Sequence, residues 1–282
     1  MPTLSAIHVY PIKSVSGIAV DRWPVTAKGL LYDRKWMLVD GERRFLSQRR
    51  LAKMALIRTR MTGDGVILSA PGMTDILMPL TETDGETLSV EIWHDTCVAK
   101  TVSAELDRWF QDFLGIACRL VYHPDGEMRR VDPRYAAPSD QTAFSDGFPF
   151  LIVSEQAMTA LNQVMELNMT LARFRPNLVI GDCAAFAEDY WRRIAIDGIG
   201  FRLPKPCSRC GIPAIDPATG NIGKEPLLTL SKRRQWQNKT YFGQNALHDR
   251  TGELCVGSAV TLLETGDAQP PLSWHDAGID GH

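Results

Sequence analysis

The chain contains no apolar run near the ~18–20 residues that a membrane-crossing helix needs, and its first residues, Met1-Pro2-Thr3, lead into a strand-like run with no basic segment before an apolar one. Neither a secretory leader nor a membrane anchor is expected. Charge of one sign is also missing. The net charge is −2 over 282 residues, so the overall balance calls for neither nucleic acid nor an acidic membrane as a partner. A basic pocket for one anionic ligand stays possible, because a global balance does not report local charge. Cysteine is sparse: six in the whole chain are too dilute for a disulfide framework, which points to reduced thiols and a cytoplasmic setting. There is no internal repeat, no G-x-G-x-x-G fingerprint, no haem motif and no ferredoxin-type cysteine cluster. An internal nicotinamide or electron-relay module is therefore not expected.

What is present reads as a β-rich globular protein. Hydrophobic residues make up 44% and charged residues 23% of the chain, ordinary values for such a protein, and the length suits one large domain or two ordinary ones. Short strand-like runs dominate the first third, including LSAIHVYPI, which stops at Pro11, and RKWMLVD, which ends at an Asp40-Gly41 turn before RRFLSQ. Two helices are predicted. Ser103 caps AELDRWFQDFLG, with Leu106, Trp109, Phe110 and Phe113 on one face and Gly115 closing it; Ser154 caps EQAMTALNQVMEL, with Ala157, Leu161 and Val164 in a stripe. Between them, residues 123–149 are rich in Pro, Gly and Asp, as expected of a domain connection or a long functional loop. Strand character returns after residue 170. The organisation expected is two β-rich parts, 1–120 and 121–265, and a flexible tail, 266–282.

The chemistry concentrates in RLPKPCSRCGIPAIDPATG, residues 202–220. A CxxC pair is half a zinc site, but Cys97, Cys118, Cys183 and Cys255 are solitary and supply no second half. A thioredoxin-type dithiol opens a helix, whereas two prolines and two glycines follow here. Plain packing cysteines remain an option. So does a thiolate ligand to a transition metal whose other ligands come with a cofactor, with Ser208 and Arg209 serving an anionic group. Other patches can be read the same way, or as ordinary surface and turn residues: Lys13 and Ser14 after a strand end, Arg34 at the start of a strand, Arg175 and Asn177 around a proline. YFGQNALHDRTGELCVG, residues 241–257, reads as a turn carrying the amides Gln244 and Asn245.

Together, VYPIKSVSGI, GLLYDRKWMLVD, FSDGFPFLIVSEQAM, FRPNLVI, KPCSRC, DPATG, KEPLLTL and FGQN occur in the order found in MOSC proteins, the molybdenum cofactor sulfurase C-terminal family. The chain resembles that family over about residues 2–265, and within it the amidoxime-reducing components and their bacterial counterparts, which detoxify N-hydroxylated bases. The resemblance implies a mainly β, α+β fold: a MOSC N-terminal β-barrel-like domain packed on a MOSC β-barrel domain. It implies a molybdenum cofactor ligated by Cys210, with Cys207 in support. Lys13, Ser14, Arg34, Arg175, Asn177, Ser208, Arg209 and Asn245 are its implied cofactor contacts. The implied activity is reduction of small N-hydroxylated compounds (amidoximes, hydroxylamines), with a cofactor or sulfur carrier using a Cys210 persulfide as the alternative. Two positions depart from the relatives. Gly147 and Phe148 precede Pro149 where small hydroxyl residues are usual, and Asn245 replaces a tyrosine. The chain carries no ferredoxin-type domain, so electrons are expected from separate partners, a flavin reductase with a ferredoxin or a cytochrome b5-like carrier.

Overall fold

The structure, a computed structural model, describes residues 1–272. It is mainly β, with α-helices at Ala104–Leu114, Glu155–Met165 and Leu227–Arg233 among the described residues. No helix among them is long and apolar enough to cross a membrane. The largest sheet has nine strands, and its central path runs Ile199–Ser208, Lys239–His248, Phe150–Ser154, Leu178–Gly181 and Thr3–Val9. The first strand of the chain is thus built into a sheet made mostly of later residues. It pairs antiparallel with Leu178–Gly181 on one side and with Ile18–Val20 on the other. Its inward residues Leu4, Ile7 and Val9 share a core with Phe150, Ile152, Leu178 and Phe201. A second core gathers Trp36, Leu38, Val66, Leu106, Phe110 and Tyr122.

The Ala104–Leu114 helix forms as its sequence predicts. Ser103 Oγ accepts from Leu106 N at 3.2 Å, Gly115 closes the helix at φ 74°, and the Leu106, Trp109, Phe110 and Phe113 face is buried. In the Glu155–Met165 helix Ser154 holds the cap position, but its Oγ accepts from Phe186 N at 3.0 Å and leaves the helix uncapped by its side chain. Val164 is exposed there; Met158 joins Ala157 and Leu161 in the core instead. RRFLSQ contributes only isolated bridges, Val39 with Phe45 and Arg44 with Glu91, in place of a strand.

Residues 241–257 are not one turn. Lys239–His248 is a ten-residue strand, and Gln244 and Asn245 lie in its middle. Gly243 there has φ 77°, and a Cβ on it would come within 2.7 Å of Val153 Cγ2 and 2.9 Å of Ile152 O. This glycine marks a close approach between neighbouring strands. Residues 123–149 contain one bridge, Arg130 with Gln141, and bring Ser145–Phe148 to the face where the site lies. The start of the expected tail is tied down: Gly266 N donates to Tyr190 O and Gln269 N to Asp189 O, both at 2.9 Å. The rest of that expectation, residues 273–282, lies outside the described residues.

Candidate functional site

An open cleft runs across the ends of several of these elements. Lys13, Ser14, Arg34, Arg175, Asn177, Ser208, Arg209, Cys210 and Asn245, which are spread over more than two hundred positions of sequence, all line it. The sheet brings them together. Lys13 and Ser14 follow the Thr3–Val9 strand, Arg175 and Asn177 precede Leu178–Gly181, and the cysteine segment ends Ile199–Ser208 next to the strand carrying Asn245.

Three of these residues hold left-handed backbone without being glycine: Ser14 at φ 64°, Arg34 at 46° and Arg175 at 58°. Such conformations cost roughly 1–3 kcal/mol each and persist where surrounding structure imposes them, commonly at functional sites. Here the imposing contacts are visible. Gln48 Nε2 donates to Ser14 O at 2.9 Å. Arg34 Nη1 donates to Asp33 Oδ2 at 2.5 Å and to Asn177 Oδ1 at 2.9 Å, while its Nη2 donates to Arg175 O at 3.1 Å. Arg175 Nη1 in turn donates to Val15 O at 2.5 Å. Both guanidinium groups lie on the Tyr10 ring, 4.3 Å (Arg34) and 4.2 Å (Arg175) from its centroid. Asn177 is 1% exposed, and its side chain stitches Arg34 to the backbone at Leu151 N and His8 O.

The cleft is electrostatically one-sided. Five basic side chains line it, Lys13, Arg34, Arg49, Arg175 and Arg209, against one acidic one, Asp146. Burial pulls Lys13 below the usual lysine range, and Asp146 pulls it partly back. Lys13 Nζ donates to Asp146 Oδ1 at 2.5 Å and to Phe144 O at 2.9 Å; Trp93 Nε1 reaches the same carboxylate at 3.2 Å. Burial, and then Arg34, lower Arg175 to about 10, so it still carries its charge at neutral pH. Asp33 lies buried behind Arg34. Burial pushes its carboxyl up, and Arg34 restrains the shift. After these pairings, Arg175 Nη2 and Arg209 Nε remain buried with no hydrogen-bond partner. A buried donor left unmade costs about 1–3 kcal/mol, so both call for acceptors from outside the chain. Asp33, Arg49, Tyr10 and Asp146 escaped the sequence reading. The only signals were the adjacency of Asp33 to Arg34 and the Ser-Asp-Gly turn around Asp146.

The two cysteines differ. The strand continues through Ser208, and Arg209 N still donates to Thr240 O, so the CxxC prolongs a strand and opens no α-helix, only the single 3-10 turn Ile212–Ala214. Cys207 packs on the apolar cluster of Phe174 and Phe242, and its Sγ accepts from Arg209 Nη1 at 3.1 Å. Arg209 Nη2 donates to Phe174 O at 2.8 Å, which fixes the guanidinium across the cleft wall. Cys210 is a free, half-buried thiol facing the cleft, and its sulfur makes no hydrogen bond among the described residues. Among those residues no group of three or more His, Cys, Asp or Glu side chains is placed to hold a metal ion. A metal here would need most of its ligands from a cofactor, with a soft thiolate as the protein's contribution. Asn245 Nδ2 spans 3.4 Å to Pro206 O, which presents the amide at the cleft edge. The arrangement as a whole suits an extended anion with hydrogen-bond acceptors, held beside one unengaged thiol.

Comparison with known proteins gives this site a context. Residues 1–117 match the MOSC N-terminal beta barrel domain and residues 139–261 the MOSC domain. Mitochondrial amidoxime-reducing component 1 of Homo sapiens is 33% identical, over 93% of this chain and 83% of its own length. Mitochondrial amidoxime reducing component 2 of Bos taurus is 32% identical, over 92% and 82%. Molybdenum cofactor sulfurase of Solanum lycopersicum is 29% identical over 85% of this chain, which corresponds to 32% of that protein.

Proposed function

The chain belongs to the MOSC-domain family, and from that premise we propose that it is a molybdenum-cofactor-dependent reductase of N-hydroxylated compounds, with Cys210 as the protein ligand to the metal. The observation that carries the proposal is the surplus of donors in the cleft: five basic side chains against one acid, with two buried guanidinium nitrogens left unpaired, beside a free thiol. A phosphorylated pterin dithiolene fits that set, since it brings anionic acceptors for the arginines and sulfur ligands to accompany one cysteine. The names of the amidoxime-reducing relatives favour the same chemistry.

When bound, the cofactor supplies the two-electron chemistry at molybdenum that removes oxygen from an N–OH group. The chain's residues hold and insulate it. Arg175, Arg209 and Lys13 neutralise its negative charge, and Ser14, Asn177, Ser208 and Asn245 offer hydrogen bonds to its polar edges. The Arg34–Asp33–Asn177 network keeps the cleft wall rigid before binding, so little order has to be created on loading. Cys207 contributes by holding Arg209. Asp146 keeps one carboxylate at the mouth. Lys13, and then Trp93 and Arg49, hold its carboxyl below the usual range. Electrons come from separate carrier proteins, and the setting is cytoplasmic.

Elemental analysis with pterin fluorescence on freshly purified protein, followed by an N-hydroxyadenine reduction assay, tests the reading. Near-stoichiometric molybdenum with turnover supports it. A labile sulfane sulfur on Cys210 without molybdenum overturns it in favour of a sulfur carrier, the reading that the molybdenum cofactor sulfurase relative suggests.

A further inference from the structure

A second concavity adjoins the cleft. It is a groove lined by Arg134, Tyr135, Arg192, Lys205, Trp236 and Lys239, among others. Four basic residues line it against two acidic ones, Glu264 and Asp267. Arg134 is compensated by Asp132 at 2.6 Å. Arg192 donates only to backbone carbonyls, among them Asp189 O and Trp191 O. Lys205 Nζ sits 4.9 Å from the centroid of the Tyr135 ring and within the field of Asp132, the carboxylate that Arg134 already holds; Lys239 has no ion pair among the described residues. Trp236 is 36% exposed. Cleft and groove form one basic face on a chain whose net charge is −2.

The two are joined through the backbone. Pro204, Lys205 and Pro206 line the groove, and the same segment goes on into the cleft as Cys207 to Cys210. Cys210 lies four positions after Pro206, a span of at most roughly 14 Å even if fully extended. Asn245 Nδ2 reaches Pro206 O across the same wall, and the Tyr135 ring of the groove lies 6.1 Å from the Phe148 ring of the cleft.

We infer that this groove is the docking surface for an acidic one-electron carrier protein, which delivers electrons to the cleft along the Pro206–Cys210 wall. The inference rests on the reductase reading. Reducing an N–OH group to N–H and water consumes two electrons and two protons, so two one-electron carriers are oxidised per turnover. Cations in excess of their acidic neighbours, set around the exposed Trp236 ring, suit a transient contact with an acidic partner. Steering by the cations speeds encounter, and the small apolar centre allows release.

The test uses the molybdenum-loaded protein and the double variant Lys205→Glu/Lys239→Glu, driven either by a plant-type [2Fe–2S] ferredoxin with its flavin reductase or by reduced methyl viologen. Ferredoxin-driven turnover is expected to fall about tenfold or more at low salt and to lose most of its salt dependence, while viologen-driven turnover stays as in the parent. Carbodiimide cross-linking, which needs no turnover, is expected to join ferredoxin carboxylates to Lys205 or Lys239. Ferredoxin-driven rates within twofold of the parent overturn the inference. So does a parallel fall with both donors, or cross-links that join two copies of this chain. A parent protein inactive with viologen as well as with ferredoxin overturns the reductase reading itself, and the docking inference with it.

Discussion

Gln244 and Asn245 are neighbours in one strand and serve two different charge clusters, because successive strand residues face opposite ways. Asn245 lines the cleft. Gln244 is 1% exposed, and its Nε2 donates to Asp189 Oδ1 at 2.8 Å. Asp189 Oδ2 also accepts from the buried Arg234 at 2.5 Å, and Arg234 stacks on Phe186. Both clusters leave buried polar atoms without a well-aligned partner, but of different kinds. On the Gln244 side these are Arg234 Nε and Nη1 together with both carboxylate oxygens of Glu188, so donors and acceptors occur together. On the Asn245 side they are Arg175 Nη2 and Arg209 Nε, donors only. A cluster holding both signs can settle its charges internally. A cluster with a surplus of one sign is built for something that arrives.

The largest expected effect tests the arriving group. Cys210→Ser should remove bound molybdenum and lower N-hydroxyadenine reduction by roughly 100-fold or more, since an oxygen donor replaces the soft ligand. Cys207→Ser in the same assay should keep the metal. Equal metal loss in both variants would erase the difference between the cysteines. Next comes the closed cluster. Arg234→Ala strands the buried Asp189 carboxylate and should cost about 3–5 kcal/mol of stability, read as a lowered denaturant midpoint of the cofactor-free protein. Arg175→Met should behave the opposite way, with that midpoint shifted only by about the 1 kcal/mol of the lost bond to Val15 O and cofactor affinity down roughly 10–100-fold. If Arg175→Met destabilised the cofactor-free chain as much as Arg234→Ala, the contrast between the clusters would collapse.

The smallest effect is a pH dependence. Burial, and then the neighbouring Asp189 carboxylate, raise Glu188 from 4.5 to about 7. The folded protein therefore keeps a proton that the unfolded chain has lost, and stability should fall as pH rises from about 4.5 to about 7. Glu188→Gln should flatten that part of the stability–pH curve. An unchanged slope would show that Glu188 does not hold the proton.

Much of the cleft was legible because its residues sit in compact motifs. Lys13-Ser14, the Arg-Pro-Asn segment and the Cys-Ser-Arg-Cys segment each carry their chemistry within a few positions. The Ala104–Leu114 helix was legible for the same reason: its cap, apolar face and terminal glycine are local signals. Other features depend on distant partners. Asp33 matters because it stands behind Arg34, and Arg49 and Asp146 because separate loops bring them to one rim. The left-handed backbone of Arg34 and Arg175 is invisible in sequence, since no glycine marks it. The strand through Gln244 and Asn245 was hidden for a related reason: a glycine such as Gly243, which permits close strand packing, looks in sequence like one that permits a turn.

The sequence by itself determined the β-rich class, the family and which residue types would gather at the site, since alternation, caps and short motifs act over a few residues. Only the tertiary structure decided how the CxxC pair divides, with Cys207 bound to Arg209 and Cys210 left free. It also decided that the basic residues would outnumber their partners in one cleft. Both outcomes depend on strand pairings such as Thr3–Val9 with Leu178–Gly181, which join residues about 170 positions apart. Charge balance within a site is a sum over neighbours in space, and sequence order does not supply those neighbours.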